Sequence, residues 1–259
     1  MFVTFRKVQL FLFCLGMMVS CGNQVKDEGA EVAERLGCQA EETVVEEQVD
    51  TPFDFNKGIF EGADVDTVMF QCYVFFSRPI PDEVKARMEG KSMKDNARIG
   101  YGDLRYLIVY HYDFEGHIQQ GELVCNQVIA HDLLCVFRDL FSEAYPIYSI
   151  RLVDDFDASD EESMQANNTS CFNYRTIPGT SRLSRHAFGM AVDVNPLQNP
   201  FVIGTRIRPS TAKEYVDRTK DFPHKIDKDD YCKKVFTSYG FRWGGNWRNA
   251  KDYQHFEKR

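Results

Sequence analysis

Two stretches hold residues whose types and spacing can do chemistry together. The first is SRHAFGMAVDVNP, Ser184 to Pro196, with His186, Gly189 and Asp193 in otherwise apolar company. A neutral imidazole and a carboxylate are both good zinc ligands, at about 2.0–2.2 Å. If the residues around Asp193 form a strand, its carboxylate points to one face. The turn HAFG can fold His186 back over that face, and Gly189 lets the backbone turn without a Cβ clash. On this stretch alone, a buried core strand carrying two polar residues remains open as the alternative.

The second stretch is GFRWGGNWRNAKDYQHFEKR at the C-terminus. His255 offers a third ligand, and Asp252 precedes it by three residues. Three protein ligands leave a fourth position open for water and substrate, which marks a catalytic zinc site. Zinc can lower the pKa of a bound water to about 7, and a nearby carboxylate can take the proton.

Taken together, Ser-x-His-x-x-Gly-x-Ala-x-Asp followed distantly by Asp-x-x-His resembles the VanY-like D-alanyl-D-alanine carboxypeptidase branch of the LAS-type zinc peptidases. Relatives of that branch include D-Ala-D-Ala dipeptidases and L-alanyl-D-glutamate endopeptidases, and the WGGNW stretch looks most like the endopeptidase group. The resemblance covers roughly residues 147–259. It implies an α+β LAS-type domain (hedgehog/D-Ala-D-Ala metallopeptidase-like) with an antiparallel sheet and flanking helices. It also implies Zn2+ held by His186, Asp193 and His255, with Asp252 as catalytic acid or base. Many relatives carry Glu at the position of Asp252, so the shorter side chain is a departure. Arg175, at the end of FNYR, matches an arginine that holds a substrate carboxylate or a developing oxyanion; its plain alternative is a structural ion pair. Ser184 is expected to hydrogen-bond within the site or simply to make a turn. Trp243 and Trp247 are expected as a substrate-binding cleft wall, or as ordinary aromatic core. The implied partners are peptidoglycan stem peptides. The alternative function is a non-catalytic envelope lipoprotein that binds peptidoglycan or a partner.

The elements that must position these groups are mixed. VMFQCYVFF, Val68 to Phe76, is aromatic and β-branched enough for a strand, and PDEVKARMEG after it reads as a helix start. LRYLIVYHYDFEGHIQQGELVCN predicts a hairpin around Asp113-Phe114-Glu115-Gly116. VIAHDLLCVFRDLFSEAY repeats apolar residues at helical spacing. IYSIRLVDDF is another strand candidate, and RLVDDFDASDEES reads as a helix start with solvated acids. The pattern is α+β without internal repeats. His111, His117 and His131 have no partner spacing that makes them ligands, and His224 reads as a loop residue.

The net charge of −8 is uneven. Thirteen acids and three bases lie between Lys26 and Asp66, so the rest of the chain is near neutral. No basic block argues for nucleic acid. Residues 1–20 carry Arg6 and Lys7 and then an apolar run too short for a comfortable membrane span. That run ends at MVSCG, which resembles a lipobox. The implication is a cleaved signal, a lipidated Cys21 and a membrane anchor in the bacterial cell envelope, periplasmic or surface-exposed. Residues 21–52 read as an acidic tether, 53–145 as an N-terminal α+β portion and 146–259 as the peptidase core. Cys38, Cys72, Cys125, Cys135, Cys171 and Cys232 give no zinc-ribbon spacing and read mostly as structural thiols.

Overall fold

A computed structural model describes residues 66–259. The signal segment, Cys21, the tether and Cys38 lie outside the described residues. Four strands form an antiparallel meander in chain order: β1 (Asp66–Phe70), β2 (Tyr73–Arg78), β3 (Leu104–Tyr112) and β4 (Ile118–Asn126). The β3–β4 hairpin pairs Leu104 with Asn126 through to Tyr112 with Ile118. Asp113 closes its turn by accepting the backbone N–H groups of Glu115 and His117. This is the hairpin expected from the sequence.

The run from Val68 to Phe76 is not one strand. It turns at Gln71, whose φ is +54°, so its two apolar halves pair with each other as β1 and β2. A similar break occurs after Ile150. Strand β5 is only Ser149–Ile150, and a 3-10 helix follows at Val153–Phe156. The acids there are not all solvated. Asp154 is buried and accepts from the backbone and hydroxyl of Ser92.

Helix α1 (Asp82–Met88) follows the second strand. Helix α2 (Gln127–Ser142) starts directly off β4, where the Asn126 side chain accepts the N–H of Val128 and caps it; such a cap contributes about 1 kcal/mol. Its apolar stripe, Leu133, Leu134, Phe137 and Phe141, is essentially solvent-free. Each such side chain contributes about 1.5–3 kcal/mol by burial. Phe141 meets Phe75 of β2 edge-on, with ring centroids 5.8 Å apart.

The second half of the chain uses short strands. β7 (Ala191–Asp193), β12 (His255–Glu257) and β10 (Arg242–Trp243) form one antiparallel sheet in the order β10-β12-β7. β11 (Lys251–Asp252), β8 (Phe201–Ile203) and β9 (Arg206–Arg208) form another. β6 (Asn168–Thr169) runs parallel to β5. Helix α3 (Asp160–Gln165) is capped by Ser159, and α4 (Tyr231–Ser238) by Asp230. One hydrophobic core joins both halves, from Phe75 and Leu107 through Val192 to Phe236 and Phe256. Among the described residues, Cys72 is an exposed free thiol, and Cys125, Cys135, Cys171 and Cys232 are buried free thiols. No described helix is long and apolar enough to cross a membrane.

Candidate metal centre and cleft

The first candidate ligand loop is set by its ends. Ser184 opens a 3-10 helix, Arg185–Phe188, by accepting the His186 N–H at 3.3 Å. Gly189 closes it with a φ of +63°, a conformation that favours glycine. The chain then enters β7. Antiparallel pairing places Asp193 directly opposite His255 on β12. Directly opposed residues project to the same sheet face, so two candidate ligands meet by register and the 3-10 turn brings the third over them.

All three side chains are buried. His255 Nδ1 lies 2.9 Å from Asp193 Oδ1, and His186 Nε2 lies 3.2 Å from both of those atoms. The outward ring nitrogens are already engaged. His186 Nδ1–H donates to the Cys171 carbonyl at 2.6 Å, and His255 Nε2–H faces Glu257 at 3.4 Å. With those protons in place, the inward nitrogens of the neutral rings both present lone pairs. Two lone pairs and a carboxylate oxygen converge on one point, and they repel unless a cation sits among them. Protonating His255 is one way to supply that cation. Burial works against the charge, but hydrogen bonds to Asp193 and Glu257 outweigh it and raise His255 to about 10. A divalent metal is the other way. The N, N, O donor set, the open side toward a cleft and the outer carbonyl and carboxylate holding each ring fit zinc.

Asp252 stands on β11 at the same cleft. Its Oδ1 is shielded from solvent and has no hydrogen-bond partner. Burial pushes its carboxyl up to about 7; His255 and Arg175 pull it down, while Asp193 and Asp160 add to the rise. An unpartnered carboxylate oxygen with a pKa near neutrality suits proton transfer.

The cleft encloses about 300 Å3. Arg175 is on its wall, half-buried, with Nη2 2.6 Å from Asp160 Oδ1. The arginine is thus both in the cleft and in an ion pair. Ser184 and Trp247 also line the cleft, and the Trp247 ring sits 5.2 Å from that of His255. Trp243 does not line it. Its ring is in the core and its Nε1–H donates to the Tyr253 carbonyl at 2.8 Å, so of the two tryptophans only Trp247 faces the cleft. Asn167 and Asn168 brace loops behind the site, Asn167 by accepting the Leu197 N–H. The remaining histidines lie elsewhere: His111 is buried against the Ile147 carbonyl, His117 and His131 are exposed, and His224 stacks on Phe114.

Four contributors were not foreseen. Glu257 had a legible signal, since it follows His255 by two residues on a strand and therefore shares its face. Arg206 and Arg208 had a weaker one, the alternation in RIR after the Gly204-Thr205 turn. Asp160 lies in an acidic run with nothing to single it out.

Residues 178–258 match the family model described as D-alanyl-D-alanine carboxypeptidase. No curated protein and no solved structure matches the chain. The matched segment contains His186, Asp193, Asp252 and His255, while Arg175 lies just before it. Every converging candidate ligand atom therefore comes from the segment that is similar to the D-alanyl-D-alanine carboxypeptidase family model.

Proposed function

We propose that the protein is a zinc-dependent peptidase that hydrolyses peptide bonds in peptidoglycan stem peptides, as a D-Ala carboxypeptidase or an L-Ala-D-Glu-type endopeptidase. The observation that carries this reading is the convergence of three ligand atoms beside the unpartnered Oδ1 of Asp252. Zinc, when bound, supplies Lewis-acid polarisation of the scissile carbonyl and a more acidic water. His186, Asp193 and His255 would hold it. Asp252 takes the proton of the attacking water and then delivers it to the leaving amine, a task suited to a shielded carboxylate oxygen with no hydrogen-bond partner. Arg175, fixed by Asp160, offers positive charge to the developing oxyanion. Trp247 and Ser184 shape the wall against which the peptide lies.

The lipobox-like segment ending at Cys21 supports a lipid-anchored position in the cell envelope, beside the polymer that contains these peptides. Zinc content and mass spectrometry of muropeptide digests test the reading. The wild-type protein is expected to carry one zinc and to release defined fragments. D252A should keep the zinc and lose turnover, whereas a binding module would keep its function. A folded wild-type protein with no zinc and no cleavage overturns the proposal.

A further inference from the structure

The three-stranded sheet β11-β8-β9 is laid out as a track leading away from Asp252. Asp252 is opposite Phe201, Phe201 is opposite Arg208, and two positions along the hairpin Ile203 is opposite Arg206. Opposed residues, and residues two apart, share a face. All five side chains therefore project to one face, and all five line the cleft. A strand rises about 3.3 Å per residue, so the Ile203–Arg206 pair lies about 7 Å beyond the Phe201–Arg208 pair. An extended peptide covers that distance in about two residues.

The arginines of the cleft differ in their commitments. Arg175 is bound to Asp160. Arg208 lies 3.4 Å from Asp160 and 3.3 Å from Glu161. Arg185 donates to the Lys258 carbonyl. Arg206 is exposed, and its side chain has no hydrogen bond or ion pair within the described residues. Its guanidinium is a planar fork matched to a carboxylate, and Phe201 and Ile203 place an apolar floor between it and Asp252.

We propose that Arg206 is a specificity-determining residue that binds the free carboxylate of the residue released by cleavage. The inference rests on the peptidase reading. Under that reading the amine protonated by Asp252 belongs to the leaving residue, so that residue lies on the track. Its short side chain rests on Phe201 and Ile203, and its carboxylate reaches Arg206. Arg175 pairs with Asp160 through Nη2 and keeps an unpartnered Nε for the developing oxyanion, which leaves Arg206 for this carboxylate.

The test uses the zinc-loaded protein and two stem peptides that differ only in carrying a carboxylate or a carboxamide on the released residue. Wild type is expected to show a KM for the acid about tenfold below that for the amide, the size of a charge-assisted hydrogen bond at a partly exposed site. R206A should raise the KM for the acid about tenfold, act on KM more than on kcat, and level the two peptides; R206K should keep part of the preference. Arg206 is exposed on a hairpin, so the core does not depend on it. Fluorescence anisotropy of the same two peptides, labelled at the amino end, reads the preference without turnover. If neither peptide is cleaved but the acid binds through Arg206, the peptidase reading fails and the carboxylate site stands. Equal affinity of wild type for acid and amide, or a preference that survives R206A, overturns the inference.

Discussion

Asn126 and Gly189 are joined backbone to backbone where the β3–β4 hairpin meets the candidate metal-ligand loop. The Asn126 N–H donates to the Gly189 carbonyl at 2.9 Å, and the Asn126 side-chain amide donates to the Phe188 carbonyl at 3.0 Å. The Oδ1 of the same side chain caps α2. One residue thus ties the large helix, the four-stranded sheet and the turn carrying His186. Nearby, the Phe172 N–H donates to the Val124 carbonyl, which continues the seam toward the Cys171 carbonyl that holds the His186 ring.

G189A should break this seam. A Cβ at Gly189 would stand 2.6 Å from the Asn126 nitrogen, on a backbone at φ +63°. The left-handed conformation costs an L residue about 1–2 kcal/mol, and overpacking adds about 1–3 kcal/mol. Urea unfolding is expected to show a loss of about 2–5 kcal/mol with the m-value retained. N126A should lose about 1 kcal/mol through the helix cap alone, and more through the Phe188 contact. A G189A protein as stable as wild type would show that the seam yields easily.

The candidate ligands were legible because a metal site constrains residue type strongly. His186, Asp193 and His255 stand out as polar residues in apolar runs, and the motif that links them is specific. Their mutual geometry was not legible. Asp193 and His255 are 62 positions apart, and only the β7–β12 register makes them neighbours. The hairpin and α2 could be read from alternation and helical spacing. The break at Gln71 could not, because an aromatic run of nine residues fits one buried strand as well as two short ones. Asp160 shows the other limit. An acid in an acidic segment gives no sign that it will fold against an arginine from elsewhere in the chain.

The chelated protein should lose stability as pH rises. Asp252 is raised to about 7 in the fold and titrates near 4 when unfolded. Between those values the folded state holds a proton that the unfolded state has released, so its contribution falls from about pH 4 to pH 7. His255, raised to about 10, contributes stability that is full below about 6.5 and is lost as pH climbs through 10. Asp193 is depressed by its two histidines; its contribution is present above about 4 and is lost only in stronger acid. The sharpest measurement is the stability difference between wild type and D252N without metal. Wild type should lose ground to D252N between pH 4 and 7, with little further change above. A difference independent of pH would mean that Asp252 is an ordinary carboxylate.

D160N should act on Asp252 through Arg175. Asp160 raises the Asp252 carboxyl and Arg175 lowers it. Removing the Asp160 charge leaves the arginine's pull unopposed, so Asp252 should titrate lower. The acid limb of the kcat/KM profile is expected to move toward lower pH. Stability should fall by about 1–3 kcal/mol as Arg175 and Arg208 lose a charged acceptor. An unmoved acid limb together with the stability loss would make Asp160 a structural residue only.

Two adjacent glycines should separate catalysis from stability. A Cβ at Gly244 would lie 2.6 Å from the Asp252 carbonyl oxygen, 2.8 Å from the Asp252 Cβ and 3.3 Å from the His255 Cβ. The hard contacts are with Asp252 and the softer one with His255. G244A must therefore displace the carboxylate relative to the ligand sheet while His255 gives by little. A misplacement of about 1 Å costs about a hundredfold in rate, so kcat should drop by that order with zinc retained. At Gly245 the new Cβ would lie 2.3 Å from the Trp243 ring, which belongs to the core. G245A should instead lower the unfolding free energy by about 1–3 kcal/mol and disturb turnover less. Zinc stoichiometry, kcat and urea midpoints on the two variants decide the matter. If G244A loses zinc along with activity, then Gly244 shapes the metal centre as a whole rather than the position of Asp252 against it.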